Sequence, residues 1–386
     1  MKTVAVIFGG RSTEHDVSIV TAIASVIKPL ELSKQYRVEA VYIAKNGAWF
    51  WDDKLKDVKL FSSGAIEQFV ARNQPASVQF DGGMVLSKAS GIAGRKQHRK
   101  IDIAFPAMHG TYGEDGALMG LLDMAGVAYV GCGLEAAVIA MDKVLAKQVA
   151  AAHGIAVSKF LNFTSRELER DASAALKQIT KTLAYPLFVK PAHLGSSIGI
   201  SRVTTHTELR NGLEVAARYD DKVIVEEAVQ NLVEVTLPVM GNNDLTPAYL
   251  EQPMVQAEDF FDFDTKYIHG GGKKMGGKKG AQGYSTIPAN LPDDLYKKAE
   301  ETGLHVYRTF GCTGTARVDM LIDTKKKAVY FNEVNPLPGS LYAHNWQRKG
   351  VSNTQLVTTL VELAEARQQE RSALSTVFTT NFLKQF

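Results

Sequence analysis

The sequence predicts an α/β protein of two or three lobes. A chain of 386 residues is too long for one ordinary core. It begins with a continuous apolar strand, Thr3 to Phe8, that runs into Gly9-Gly10-Arg11-Ser12-Thr13-Glu14-His15 and a stretch of helical spacing from Asp16 to Leu32. Strand, glycine turn and helix N-terminus make the first half of a βαβ unit. Near the other end, Thr315–Asp323 and Ala328–Asn335 read as two short buried strands, rich in β-branched and aromatic residues, joined by a lysine-rich turn.

Between these ends the elements follow in order. Val38–Ile43 is a second strand and Ile101–Pro106 a third. The polar stretch from Trp49 to Lys100 reads as an irregular surface excursion. A small α/β domain thus fills the first third of the chain. Leu134–Gly154 and Thr164–Leu183 have helical spacing. Tyr185–Lys190 is a strand feeding Pro191-Ala192-His193-Leu194-Gly195-Ser196-Ser197-Ile198-Gly199, and Val223–Glu227 and Glu234–Met240 are further strands. His269–Gly280 contains only glycine, lysine and one methionine after its histidine. With no apolar period it cannot pack a core, so it is expected to be mobile or ordered by a ligand. Asp293–Phe310 reads as helix, and Asn353–Gln368 as an amphipathic helix that closes the fold.

Composition narrows the function classes. Hydrophobic content of 45% and charged content of 22% are those of a soluble globular chain. A net charge of +3 gives no argument for nucleic acid or an anionic membrane. No apolar run is long enough to span a bilayer, and because Met1-Lys2-Thr3 leads straight into a strand no secretory leader is expected. Cys132 and Cys312 are the only cysteines, too few for a disulfide framework or a structural zinc site. A cytoplasmic location is expected.

The C-terminal strands carry the sharpest chemistry. Asp319 lies on the first and Glu333 on the second, and Asn335, two residues on, shares the face of Glu333. Two carboxylates and an amide oxygen form an all-oxygen set that suits Mg²⁺ bound with nucleotide phosphates. The plain alternative is a pair of hairpin acids facing solvent. Lys190 precedes a small-residue loop in which Gly195 and Gly199 let backbone N–H groups approach an anion. Lys143, after Met141-Asp142, reads as a second phosphate lysine or as an ordinary surface one. Loops at Gly9–Glu14 and His109–Gly116 both follow strands and outline a crevice of the kind in which α/β sheets bind ligands. No nucleophile elbow and no histidine cluster at metal-ligand spacing occur, which disfavours covalent serine or zinc hydrolysis.

Read together, Gly9-Gly10-Arg11-Ser12-Thr13-Glu14-His15-Asp16-Val17-Ser18, His109-Gly110 with Gly113-Glu114-Asp115-Gly116, Met141-Asp142-Lys143, Val189-Lys190-Pro191 with Gly195–Gly199, Ala316–Asp319 and Asn332–Asn335 resemble the D-alanine–D-alanine ligases, in that family's order. The resemblance implies an ATP-grasp fold behind an N-terminal Rossmann-like (pre-ATP-grasp) domain. It would divide the chain into that domain at 1–132, a small ATP-grasp lobe at 133–225 and a large lobe with the metal site at 226–386. It implies ATP and two Mg²⁺, with Mn²⁺ as a substitute, small-molecule substrates, a homodimer, and no nucleic acid or membrane partner.

In such an enzyme ATP phosphorylates the carboxylate of one D-alanine, and the amine of a second attacks the acyl phosphate. Carried over, Asp319, Glu333 and Asn335 hold metal, with Asn332 near the nucleotide. Lys143, Lys190, Lys266 and Ser197 meet phosphates. Glu226, Glu227, Ala228 and Val229 meet adenine, and Glu234 the ribose. Glu14 binds the first ammonium with Ser196 and Tyr267, and His109 faces the first carboxylate. Arg317 and the Gly339 N–H stabilise the oxyanion, and Ser340 and Leu341 serve the second substrate.

The chain departs from the family pattern twice. Asn335-Pro336-Leu337-Pro338-Gly339 runs directly into Ser340-Leu341-Tyr342, with several family residues missing before the serine that grips the second carboxylate. The loop after Tyr267 also carries extra lysines, Lys273, Lys274, Lys278 and Lys279, which read as a lid over nucleotide or as a solvated charge run. Two other functions therefore stand beside ligation of two D-alanines: joining to a different acceptor, and nucleotide binding without turnover. Phosphate released per ATP separates them.

Overall fold

The computed structural model describes residues 1–90, 95–195, 197–253, 285–376 and 379–386. Ser196, Lys266, Tyr267 and the stretch 269–280 expected as a lid lie outside the described residues.

The first sheet contains β1 (Thr3–Gly9), β2 (Arg37–Ile43) and β3 (Trp49–Trp51). The polar excursion that follows is not irregular, as its composition suggests. It folds as β4 (Ser77–Phe80), β5 (Met84–Ser90) and β6 (Arg95–Ile101), an antiparallel sheet of its own, with helices Val58–Ser62 and Ala65–Arg72 before it. β6 reads Arg-Lys-Gln-His-Arg-Lys-Ile and shows no apolar alternation. Backbone pairing with β5, from Met84 opposite Ile101 to Ser90 opposite Arg95, makes it a strand.

β7 (Ile103–Pro106) and β8 (Ala128–Tyr129) complete the first sheet in the order β3-β2-β1-β7-β8, with β1 parallel to both β2 and β7. Every residue of β1 is buried. Val4, Val6 and Phe8 pack to one side while Ala5 and Ile7 pack to the other. Such burial on both faces is what a central parallel strand requires. Chain order reverses between β1 and β7, and open α/β sheets form their ligand crevice at such a switch.

The second sheet, ordered β11-β10-β12-β9, is built from β9 (Phe160–Thr164), β10 (Leu187–Pro191), β11 (Ser201–Val203) and β12 (Lys222–Glu227). Helices Ser165–Thr182 and His206–Tyr219 cover it, the first opened by a capping box between Thr164 and Glu167. The third sheet, ordered β14-β13-β17-β18, takes β13 (Leu232–Met240), β14 (Thr246–Pro247) and, after a two-stranded pair of β15 (Gln252–Pro253) and β16 (Ser285–Thr286), the strands β17 (Thr315–Asp323) and β18 (Ala328–Asn335). Helix Asp293–Thr309 packs on it.

The helical run expected from Leu134 to Gly154 is broken. Asp142 has φ −90° and ψ 102°, and its side chain accepts from Val144 N and Leu145 N, ending one helix and capping the next. The expected divisions of the chain also meet two local facts. Residue 225 falls inside β12 rather than between lobes. The last helix, Asn353–Ser372, buries Leu356, Val357, Leu360, Val361 and Ala364 against the first sheet, so the chain's end returns to the lobe where it began.

Candidate active site

The paired acids lie where β17 and β18 run side by side, with Asp319 opposite Glu333 and Arg317 opposite Asn335. Strict alternation would put Phe331 on the same face as Glu333. A bulge at Asn332 prevents this: Phe331 pairs with Met320 and turns into the core, while Glu333 and Asn335 turn to the other face. There Arg317 Nε donates to Asp319 Oδ1 at 2.7 Å, its Nη2 reaches Asp319 Oδ2, and Asn335 Nδ2 donates to the same oxygen at 3.1 Å.

Burial pushes the Asp319 carboxyl up to about 6; Arg317 pulls it down and the charge of Glu333 raises it again. Burial also opposes charge on Glu333, but Lys143, Arg317 and Lys190 outweigh it and hold that carboxyl below its usual range. A buried carboxylate, a half-buried one and an amide on one face, the first with its proton affinity raised, form a donor set that fits a hard divalent cation.

Lys143 opens the helix Lys143–Ala152. Its Nζ lies 3.4 Å from Glu333 Oε2 and donates to Leu194 O at 2.8 Å, which ties Glu333 to the loop leading to Gly195. It is buried, not a surface lysine. Lys190, near the end of β10, ion-pairs with Glu226 Oε2 at 3.0 Å, and Lys147 lies 3.3 Å from Glu226 Oε1. Glu226, expected near adenine, is thus buried between two ammonium groups. Burial works against its charge, but Lys147 and Lys190 together bring the carboxyl down to about 2. Burial likewise disfavours the charge on Lys190, yet the acids Glu226, Glu333 and Glu234 keep it raised.

Glu227 ends β12 and accepts from Ala184 N at 3.0 Å, Ala228 N donates to Pro186 O at 3.0 Å, and Val229 follows half-buried. Ser197 takes the left-handed conformation, φ 60°.

The two glycine loops of the first sheet meet at Glu14. A Cβ placed on Gly110, whose φ is +69°, would stand 2.9 Å from Glu14 Oε2, and one on Gly195 would stand 3.2 Å from it. At Gly110 the positive φ and this close approach both call for glycine. His15 and Ser18 fix the first loop: His15 Nδ1 meets Gly10 O at 2.6 Å, and Ser18 Oγ accepts from Gly9 N and donates to Ala107 O.

His109 Nε2 meets Thr21 Oγ1 at 2.9 Å, and its Nδ1 lies 3.8 Å from Glu114. The same Thr21 oxygen accepts from Ser340 N at 3.1 Å. Thr21 therefore joins His109 to the turn that follows Gly339. That turn is strained, with Ser340, Leu341 and Tyr342 at φ 51°, 53° and 51° and no glycine among them. Leu341 buries its side chain in the first lobe's core and donates its N–H to Pro338 O, while the Tyr342 ring lies 5.2 Å from the Arg317 guanidinium.

Thr21 and Lys147 are the two site residues that sequence reasoning missed. Lys147 stands one helical turn beyond Lys143, a spacing that pointed to it. Thr21 carried no local signal.

Two family models match the chain, D-ala D-ala ligase N-terminus over residues 3–132 and D-ala D-ala ligase C-terminus over residues 149–362. A D-alanine–D-alanine ligase of Chlorobium phaeovibrioides is 37% identical over 377 residues, covering 95% of this chain and 98% of the relative. One of Natranaerobius thermophilus is 37% identical over 380 residues, covering 97% and 98%. Among solved structures, the D-alanine-D-alanine ligase of Coxiella burnetii superposes with a TM-score of 0.77 at 26% identity, covering 96% of each chain. The VanG D-Ala:D-Ser ligase of Enterococcus faecalis gives a TM-score of 0.77 at 30% identity, covering 94% of this chain and 99% of the other.

Proposed function

The chain belongs to the D-alanine–D-alanine ligase family, and on that premise we propose how its residues divide the work of ATP-dependent joining of two D-alanines. The observation that carries the assignment is the convergence of Asp319, Glu333 and Asn335 with Arg317, Lys143 and Lys190. Asp319, Glu333 and Asn335 would hold Mg²⁺, two ions by the family pattern, with Mn²⁺ able to replace them. Bound there, the metal neutralises charge on the nucleotide phosphates.

Lys143 and Lys190 complete that neutralisation, and Glu226, held with Lys147, aims Lys190 rather than touching adenine. The segment from Glu227 to Val229 receives the adenine and Glu234 the ribose. Glu14, at the meeting of the two glycine loops, takes the ammonium of the first D-alanine, and His109 faces its carboxylate. That carboxylate attacks the γ-phosphorus and ADP leaves; the second amine then attacks the acyl carbon, and phosphate departs with one carboxylate oxygen. Arg317 and the Gly339 N–H face the oxyanion of that step. The product serves peptidoglycan precursor synthesis in the cytoplasm, and no helix among the described residues is long and apolar enough to cross a membrane. A homodimer through the first lobe is supported by Leu121 and Met124, exposed on the helix Ala117–Met124.

A panel of D- and L-amino acids, read by phosphate release and product mass with Mg²⁺ and ATP, tests the assignment. D-alanine alone should support release and give the dipeptide; no amino-acid-dependent release would leave a nucleotide-binding protein.

A second reading, joining D-alanine to another small acceptor, is favoured by the shortened turn at Ser340–Tyr342. Replacing Ser340 by Ala removes the hydroxyl and keeps the left-handed backbone; replacing it by Gly also relieves the strain. Both variants should raise the apparent constant for the second substrate about tenfold, with little change for the first. A normal constant in both would show that other groups hold the acceptor.

A further inference from the structure

We infer that His193 is a positioning residue for nucleotide binding: as a doubly protonated ring between Asp142 and Asp220 it fixes the arm Ala192–Gly195 and Lys143 in one register. The inference rests on the reading that this arm and Lys143 serve the phosphates of ATP. Neither the family pattern quoted above nor the ligand roles drawn from it assign His193 any part.

The geometry is specific. His193 N donates to Asp220 Oδ2 at 2.6 Å, and its Nδ1 lies 2.9 Å from Asp220 Oδ1. Its Nε2 lies 3.4 Å from Asp142 Oδ2. Asp142 caps the helix that begins at Lys143, and Asp220 closes the helix His206–Tyr219 just before β12. One ring thus joins a helix N-terminus, the end of another helix and the phosphate-side loop. Lys143 makes the same connection from the other side, donating its N–H to Ala192 O at 3.0 Å and its Nζ to Leu194 O.

A neutral imidazole has one N–H, so its other nitrogen would turn a lone pair toward a carboxylate. Both contacts are favourable only when both nitrogens carry protons. Asp142 and then Asp220 raise the ring to about 9, against the effect of burial. The other charges facing it are Asp221, 3.9 Å from Nδ1, and Lys222, which pairs with Asp142 and donates its N–H to Asp220. Because the ring is partly open to solvent, the expected effect is a graded loosening rather than collapse.

The folded-state value is raised, so the ring's hold on the arm is fully present below the ordinary imidazole value of 6.5 and is lost as pH rises through about 9. The test is equilibrium binding of a non-hydrolysable ATP analogue with Mg²⁺, without amino acid, so that no substrate amine titrates. In the unaltered protein, affinity should fall severalfold across that range. His193→Gln should bind about tenfold more weakly at pH 7 and show no such fall. Asp220→Asn should move the midpoint to lower pH, which a merely structural contact would not do. A pH-independent affinity in the unaltered protein, or a Gln variant with the original affinity and profile, would overturn the role. If the Gln variant does not fold, the profile of the unaltered protein decides alone. Failure of the unaltered protein to bind the analogue at pH 7 would instead overturn the nucleotide site itself, and this role with it.

Discussion

Replacing Glu333 by Gln should lower turnover by at least about a hundredfold while the protein stays folded, because Gln keeps the shape but removes the negative charge that would hold Mg²⁺ against the phosphates. Lys143, 3.4 Å from Glu333, loses its anionic partner at the same time and has only Leu194 O left to it among the contacts described above. Loss at the chemical step should therefore exceed loss of nucleotide affinity. A urea transition near that of the parent protein would show that the fold is intact. A Gln variant with more than about half the parent turnover would remove Glu333 from the catalytic account.

Replacing Glu226 by Gln should be the most destabilising single change in the second lobe. It leaves Lys147, fully buried, and Lys190 facing each other without their shared anion. Breaking such a buried set from one side costs about 3–5 kcal/mol. The sign with pH follows from the depressed folded-state value. Stability supplied by Glu226 is fully present above the ordinary carboxylate value of 4.5 and is lost as pH falls toward about 2. Denaturant titrations should show a wide gap between parent and variant at pH 7 that narrows as pH drops below 5. A constant gap across that range would mean that Glu226 is not the ionised partner of the two lysines.

What the sequence disclosed and what it hid divide along physical lines. The strands carrying Asp319, Glu333 and Asn335 were readable because apolar runs with interrupting acids leave few alternatives. The bulge at Asn332 that sorts Phe331 from Glu333 was not, since alternation alone puts them on one face. β6 was hidden because its residues carry no period and its structure lies in the pairing. The break at Asp142 was hidden because apolar residues continue on both sides at helical spacing. The last helix could be read as amphipathic, but nothing in its pattern says which lobe receives it. Thr21 was invisible for the same reason: its contacts with His109 and Ser340 span 88 and 319 residues.

The central claim is that the first D-alanine is activated as an acyl phosphate at this site and captured by the second amine. Turnover of D-alanine labelled with oxygen-18 in its carboxylate, with mass analysis of the phosphate released, tests it most directly. The account predicts that each phosphate carries one labelled oxygen and that label appears only with D-alanyl-D-alanine. Unlabelled phosphate would mean that water, not the D-alanine carboxylate, attacks ATP, and would contradict the account.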